Sequence, residues 1–296
     1  MQAQTHPTPT DFRHPLVKDL CWTLAPPFDL LLSLPPFQRF APSQSPEVLS
    51  TWLKQLEREP HALEEFMAAY LNRRLGHYFE RLILFYLLHS PEPRLTVLEH
   101  NYPIYQSIKG QKVTLGELDF LLKQNERVLH LETAVKFYLG VADANGPHWI
   151  GPGLADRLDR KLAHLRDHQL PLSHALDFAR PIDPVFWVKG VLFHPCSEEL
   201  PLPPGIATHS TASHWLTRSQ APEYINNEWI VLTKSRWLGG ADELTGEIRN
   251  RKEILDLHAA PLTQVLMLQH KFSERRLMVV PDDWPDRARE ALLTDP

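Results

Sequence analysis

The chain has 296 residues, a formal net charge of −5, 43% hydrophobic and 23% charged residues, which is the balance of a globular fold with a sizeable core. Its acidic total argues against a generally basic, nucleic-acid-gripping surface, because phosphate neutralisation supplies most of that affinity. Its two cysteines, Cys21 and Cys196, give neither a disulfide framework nor a zinc quartet, and its longest apolar run, Leu82 to Leu88, is too short to span a bilayer.

In chain order, residues 1–44 carry two Pro-Pro breaks, at 26–27 and 35–36, and read as an irregular N-terminal arm packed on the body. Leu49, Trp52, Leu53 and Leu56 stand at helical spacing, and Ser45 followed by Pro46 predicts the start of a helix running to Arg58. A longer helix is predicted from about His61 to His89, broken near Gly76. Leu95 to His100 reads as a short strand. Gly151-Pro152-Gly153 marks a turn, Leu154 to Leu170 an amphipathic helix, and Val185 to His194 a buried strand. Beyond residue 197, strands are predicted at Trp229 to Lys234 and Leu277 to Val280, and a final helix near Asp286 to Leu293. Trp215, Trp229 and Trp237 read there as core anchors rather than base-stacking platforms. The N-terminus lacks a charged-then-apolar targeting pattern, so a cytoplasmic, membrane-free protein is expected.

The segment Leu115 to Tyr138 carries the chemistry. Gln124 to Arg127 form the polar break between two apolar runs, as a hairpin corner requires. With Asn125 and Glu126 at the corner, Leu122 faces Leu129, Phe120 faces Leu131 and Leu118 faces Thr133. On the other face Leu121 meets His130, Asp119 meets Glu132 and Glu117 meets Ala134. One face is then apolar and the other gathers Glu117, Asp119, Glu132 and Lys136. A slip of one residue would mix the two sets, so the pattern itself specifies the register. Acids gathered in this way are costly to desolvate, and a divalent metal is the commonest reason for them.

The order of elements, with Glu80 on the helix, Asp119 on the second strand and Glu132 on the third, resembles the PD-(D/E)XK, or restriction-endonuclease-like, superfamily over roughly residues 62–194. More narrowly, most of the chain is similar to an uncharacterised bacterial family within it, through Gly76-His77-Tyr78-Phe79-Glu80, Gly116-Glu117-Leu118-Asp119, His130 to Lys136, Asp156 to Leu162 and Lys234-Ser235-Arg236-Trp237-Leu238. The resemblance implies an α/β protein with a mixed central sheet and an αβββαβ core over 62–196. N-terminal helices would precede it over 1–61 and an α+β extension would follow over 197–296. It implies a Mg²⁺- or Mn²⁺-dependent nuclease acting on phosphodiesters, with nucleic acid as partner. Asp119, Glu132 and the carbonyl of Thr133 would hold the metal, and Glu80 would act as an auxiliary acid.

One departure is plain. The motif's lysine should stand two residues beyond Glu132, and that position is Ala134. Lys136 lies on the same face about 7 Å further along the strand and is the expected substitute in orienting the attacking water. Lys161, on the following helix, is the other candidate. Arg157 and Lys161 share a helix face suited to phosphate contact, and Gln169 stands where a helix glutamine assists in some relatives. Solvated acids on an exposed hairpin are the bland alternative for Asp119 and Glu132, and a surface ion pair with Arg81 or Arg74 is that for Glu80. His164 and His168 are spaced i, i+4 but lack the metalloprotease glutamate, so no zinc site is expected. The rival function is a catalytically inactive binding or scaffold protein that keeps the fold without the lysine.

Overall fold

Proline and apolar spacing delimit the helices. The computed structural model describes residues 6–42, 44–91, 95–108, 111–176, 181–207, 213–241 and 265–293. α1 (Pro15–Leu24) falls within the stretch expected to be irregular. It buries Leu16, Val17, Leu20, Trp22 and Leu24 and stops just before Pro26-Pro27. A helix apolar nearly all round belongs in a core, not on its surface. α2 (Pro46–Arg58) starts as predicted, with Ser45 Oγ accepting from Val48 N at 3.4 Å, and buries the four expected side chains. The next helical stretch divides into α3 (His61–Met67) and α4 (Leu75–His89), the break lying at residues 71–74, just ahead of Gly76.

The strands are β1 (Gln38–Arg39), β2 (Leu95–Ile108), β3 (Gln111–Gln124), β4 (Arg127–Asp143), β5 (Gly146–Ile150), β6 (Ile182–Pro195), β7 (Ser213–Thr217), β8 (Trp229–Leu232), β9 (Leu266–His270) and β10 (Arg276–Val280). They form one mixed sheet of order β2-β3-β4-β6-β7-β10-β9-β8, with β1 on β6 and β5 on β4. The remaining helices among the described residues are α5 (Leu158–His164), α6 (Ala221–Tyr224) and α7 (Trp284–Leu293). The fold is therefore mixed α/β. None of the helices among the described residues is long and apolar enough to cross a membrane.

The β3–β4 hairpin has the register expected from the hydrophobic pattern, from Gln124 opposite Arg127 to Phe120 opposite Leu131. It then ends. Asp119 and Glu132, predicted as ladder partners, are not paired through their backbones, and β3 continues on β2 alone. The register of β2 on β3 shifts at Leu98 and again at Leu115, and such bulges bend a strand pair. β3 follows that bend away from β4. Leu118 accordingly leaves the apolar face it was assigned. It packs with Ile104, Leu121, Val128 and Ile182, while Phe120, Leu122, Leu129 and Leu131 belong to the main core.

β4 pairs with β6 in parallel from Val128 opposite Ile182 to Leu139 opposite Phe193. Parallel neighbours require a crossover, and its helix is shorter and more broken than the predicted Leu154 to Leu170. Leu154 has φ 69°, α5 begins only at Leu158, residues Leu165–Gln169 form a π turn and Leu170–Ala175 a 3₁₀ turn. Apolar periodicity alone cannot show such a change of helical pitch. At Gly190 the β4 and β6 backbones approach so closely that a Cβ would lie 1.9 Å from the Lys136 carbonyl oxygen.

The N-terminal arm completes β6. Leu30 N donates to Val188 O at 2.8 Å and Phe40 N to Phe186 O at 2.7 Å, covering an edge that β7 reaches only at Phe193. Asp29 fastens this arm from within. Its Oδ1 accepts from Lys189 Nζ at 2.8 Å and Trp187 Nε1 at 3.0 Å, its Oδ2 takes Arg39 Nη1, and Lys189 is fully buried. Removing one partner of such a pair strands a charge. Asp29→Ala should therefore lower the unfolding free energy by about 3–5 kcal/mol in a urea titration. Asp183→Ala, which breaks the exposed 2.8 Å pair with Arg127, should cost less than about 1 kcal/mol. Equal losses would show that the arm is not held this way.

Candidate acidic site at the open end of the hairpin

Where the β3–β4 ladder ends, side chains take over from backbone. Asp119 Oδ2 accepts from Thr133 N at 2.7 Å and from Thr133 Oγ1 at 3.0 Å, and the Asp119 amide points at Glu132 Oε1 from 3.5 Å. The two acids are thus adjacent, but each bridges the strands through the other's neighbourhood instead of standing in register. Glu132 is 1% exposed. Its Oε1 lies 2.7 Å from His130 Nε2, two residues back on the same strand face, and its Oε2 accepts from Gln169 Nε2 at 2.7 Å. Gln169 in turn accepts from Lys161 Nζ at 2.7 Å through Oε1. The π turn ends at Gln169, which brings its amide onto Glu132. π turns of this kind often sit at functional sites.

Burial without full neutralisation sets the electrostatics. Desolvation, and then the neighbouring Glu132 charge, push the Asp119 carboxyl up to about 7. Desolvation raises Glu132 to about 7 against the pull of its hydrogen bonds and of Lys161. Glu80 faces this pair from α4, and desolvation with repulsion from Asp119 brings it to about 7 as well. Its Oε2 lies 3.5 Å from His77 Nδ1. Burial lowers His130 to about 4, so the imidazole is neutral at pH 7 and donates to Glu132 when that carboxyl is ionised. Burial, and then the Lys136 charge, also lower Lys161, which is the ammonium closest in influence to both acids. Three acids and one depressed lysine leave a surplus of negative charge in a poorly solvated corner.

The predicted residues thus divide into two groups. Glu80, Asp119, Glu132, Lys161 and Gln169 come together. Lys136 shares the strand face of Glu132 but turns to Asp156, whose other oxygen accepts from Tyr138 OH at 3.1 Å. Arg157 is engaged by Asp159, with Nη2 at 2.6 Å from Oδ2 and Nε at 3.1 Å from Oδ1. Thr133 contributes its amide and hydroxyl to Asp119. Ala134 packs against an apolar cluster containing Tyr138 and Leu158. Sequence reasoning missed His130 and Asp156. The first carried a usable signal, because in the predicted register its side chain falls on the acid face one step from Glu132.

Among the described residues, no three His, Cys, Asp or Glu side chains are arranged to hold a metal ion. The donor chemistry is nevertheless that of a hard cation. Mg²⁺ is commonly held by one or two carboxylates with water and substrate oxygens completing the shell. Asp119 and Glu132 supply two adjacent carboxylates whose repulsion a divalent cation would relieve.

These shifts set a pH dependence. The three carboxyls bind protons more tightly folded than unfolded, so their contribution to stability is complete below about pH 4 and is lost as pH rises through about 7. His130 acts oppositely, its contribution being lost as pH falls from 6.5 towards 4. In chelator-treated buffer, Asp119→Asn should therefore flatten the fall in melting temperature between pH 6 and 8. At pH 8 it should be more stable than the parent by about 1–3 kcal/mol. Parallel melting curves for the two proteins across that range would exclude the repulsion.

Neither the curated proteins nor the solved structures contain a match to this chain. One family model does match, over residues 18–277, from within α1 to the start of β10 with the acidic corner included. The chain therefore belongs to the family described as a domain of unknown function, DUF1853.

Proposed function

We propose that this protein is a divalent-metal-dependent nuclease acting on phosphodiester bonds, with a core of the PD-(D/E)XK type. The observation that carries the reading is the direct chain Lys161–Gln169–Glu132 beside Asp119, in a corner where carboxylates outnumber cations. The succession α4, β2, β3, β4, α5, β6, with β5 as an added hairpin, agrees with it.

In this reading Asp119 and Glu132 would hold Mg²⁺ or Mn²⁺, with the Thr133 carbonyl as a third donor. The bound metal would lower the pKa of a water and offset charge on the phosphoryl group. Thr133 fixes the Asp119 carboxylate from one side, while His130 and Gln169 fix Glu132 from two. Lys161 fills the gap left by Ala134. Its lowered pKa suits it to orient the attacking water or to take its proton, whereas Lys136 is occupied by Asp156. Glu80, titrating near 7, is suited to exchange a proton with the leaving oxygen at neutral pH. Arg157 would have to leave Asp159 to reach a phosphate.

Incubated with Mg²⁺ or Mn²⁺ and single- or double-stranded DNA or RNA, the protein should cleave at least one substrate. Asp119→Ala or Glu132→Ala should reduce the rate at least about 100-fold, and Lys161→Ala by about 10²–10⁴-fold, while Lys136→Ala should change it less than tenfold. Cleavage that survives loss of both acids would sink the mechanism.

A second reading, an inactive binding or scaffold protein, is favoured by Ala134 and by the engagement of both Glu132 oxygens within the fold. Calorimetric titration separates the two. It holds if neither metal binds at millimolar concentration.

A further inference from the structure

A cavity of about 780 Å³ lies at the N-terminal end of α4. A cavity of this volume suits a ligand of nucleotide size. Arg73, Arg74, Lys234 and Arg236 line it, and no carboxylate does among the described residues. Arg73, Arg74 and Lys234 make no ion pair there among the described residues. The N-terminus of α4 opens at the same place. Arg74 is its N-cap residue and provides no side-chain cap, so the first-turn amides are left to a ligand or water. The rest of the lining includes Leu71, Leu75, Tyr78 and Trp237, an apolar and aromatic wall opposite the cations.

Buried polar contacts fix each wall of this cavity. Asp19, 1% exposed on α1, accepts from Tyr78 OH of α4 at 2.6 Å and from Gly239 N of the 234–241 loop at 2.7 Å, joining three walls through one carboxyl. Arg276, also 1% exposed, donates from Nη1 to the Trp237 carbonyl and from Nη2 to that of Leu238. Gln269 Oε1 accepts from Ala241 N at 2.8 Å, and Trp284 Nε1 donates to Pro152 O at 2.9 Å on the remaining side. Gly239 lies so close to α1 that a Cβ would stand 2.6 Å from the Asp19 amide. A fold that buries Asp19 and Arg276 to hold a loop bearing Lys234, Ser235 and Arg236 against the α4 N-terminus has preorganised a cationic recess.

We infer that this recess binds the phosphate monoester of a nucleotide-sized ligand. Four cations and a helix N-terminus around one volume match a compact dianion carried at neutral pH by a monoester, and the Tyr78–Trp237 side offers apolar area for the attached ring. A free nucleotide and the 5′-phosphorylated end of a strand present the same chemistry. The inference does not depend on the acidic corner being catalytic.

The test is calorimetry on the full chain in chelator, which prevents metal-dependent hydrolysis. The probes are adenosine 5′-monophosphate, adenosine, and a short DNA strand bearing either a 5′-phosphate or a 5′-hydroxyl. At least one phosphorylated probe should bind tenfold or more tighter than its unphosphorylated counterpart, and which one does so identifies the source. Arg74→Ala with Lys234→Ala should weaken that binding at least tenfold. Removing two exposed arginines elsewhere, Arg166→Ala with Arg289→Ala, should leave it within twofold. Equal binding of phosphorylated and unphosphorylated probes, or no binding of any, would overturn the inference. That comparison uses the parent chain, so it stands even if the double variant fails to fold.

Discussion

The parallel pairing of β4 with β6 is the constraint from which the acidic corner follows. Two parallel neighbours cannot be joined by a tight turn, so the chain must leave β4, cross the sheet and return. That crossover carries α5, the π turn and the 3₁₀ turn over the strand face from which Glu132 projects. Lys161 and Gln169 reach Glu132 because they lie on this obligatory connection. The other edge of the corner is set by β3, which stays on β4 only up to Phe120 and then follows the bulged β2. The corner is thus the gap between a strand that turns away and a helix that must cross.

Two kinds of buried charge occur in the molecule, and magnitudes separate them. The Asp29–Lys189 pair is matched in sign, with Arg39, Trp187 and the Ala25 carbonyl satisfying what remains. It stabilises the attachment of the arm, and breaking it strands one charge. The acidic corner is not matched. Its carboxyls resist ionisation up to about pH 7 and its lysine is depressed, so both sides have moved towards neutrality. A structural network has no need to retain such an imbalance, since apolar replacements of similar volume are often neutral or stabilising. Residues that oppose stability while being held by several dedicated hydrogen bonds mark the corner as a candidate functional site.

Much of this was legible in the amino-acid pattern, and the limits have identifiable causes. The corner at Asn125-Glu126 and the pairing down to Phe120 and Leu131 follow from alternation, because a slip would have buried Asp119's face in the core. α2 follows from Ser45, Pro46 and four apolar positions. The end of the ladder does not follow, since it depends on the curvature that the bulges at Leu98 and Leu115 impose on β2 and β3. α1 is not evident from the pattern, because the Pro-Pro pair on its flank is equally the mark of an irregular arm, although here it marks the helix end. The π turn leaves no trace in apolar spacing, and the partner that draws Lys136 away, Asp156, arrives only after another hairpin. Of Lys136 and Lys161, the tertiary structure brings the helical one to the acids.

α4 ties the two polar regions together. Tyr78 and Glu80 are separated by about 200° around the helix, so they face opposite ways. Tyr78 turns to Asp19 and the cationic recess, while Glu80 turns to Asp119 and the acidic corner. Glu80 stands only about 7.5 Å along the helix axis from Leu75 at its first turn. A rigid element of four turns, buried along Phe79, Leu82, Ile83 and Tyr86, holds a region of surplus positive charge and one of surplus negative charge at fixed separation. Opposite surpluses so close would collapse onto each other if the side chains could reach. The fold opposes this by engaging Asp19 and Arg276 in hydrogen bonds on one side, and Gln169 and His130 on the other. The two surpluses are thereby held apart, as the proposed anion at the start of α4 and the proposed cation beside Asp119 both require.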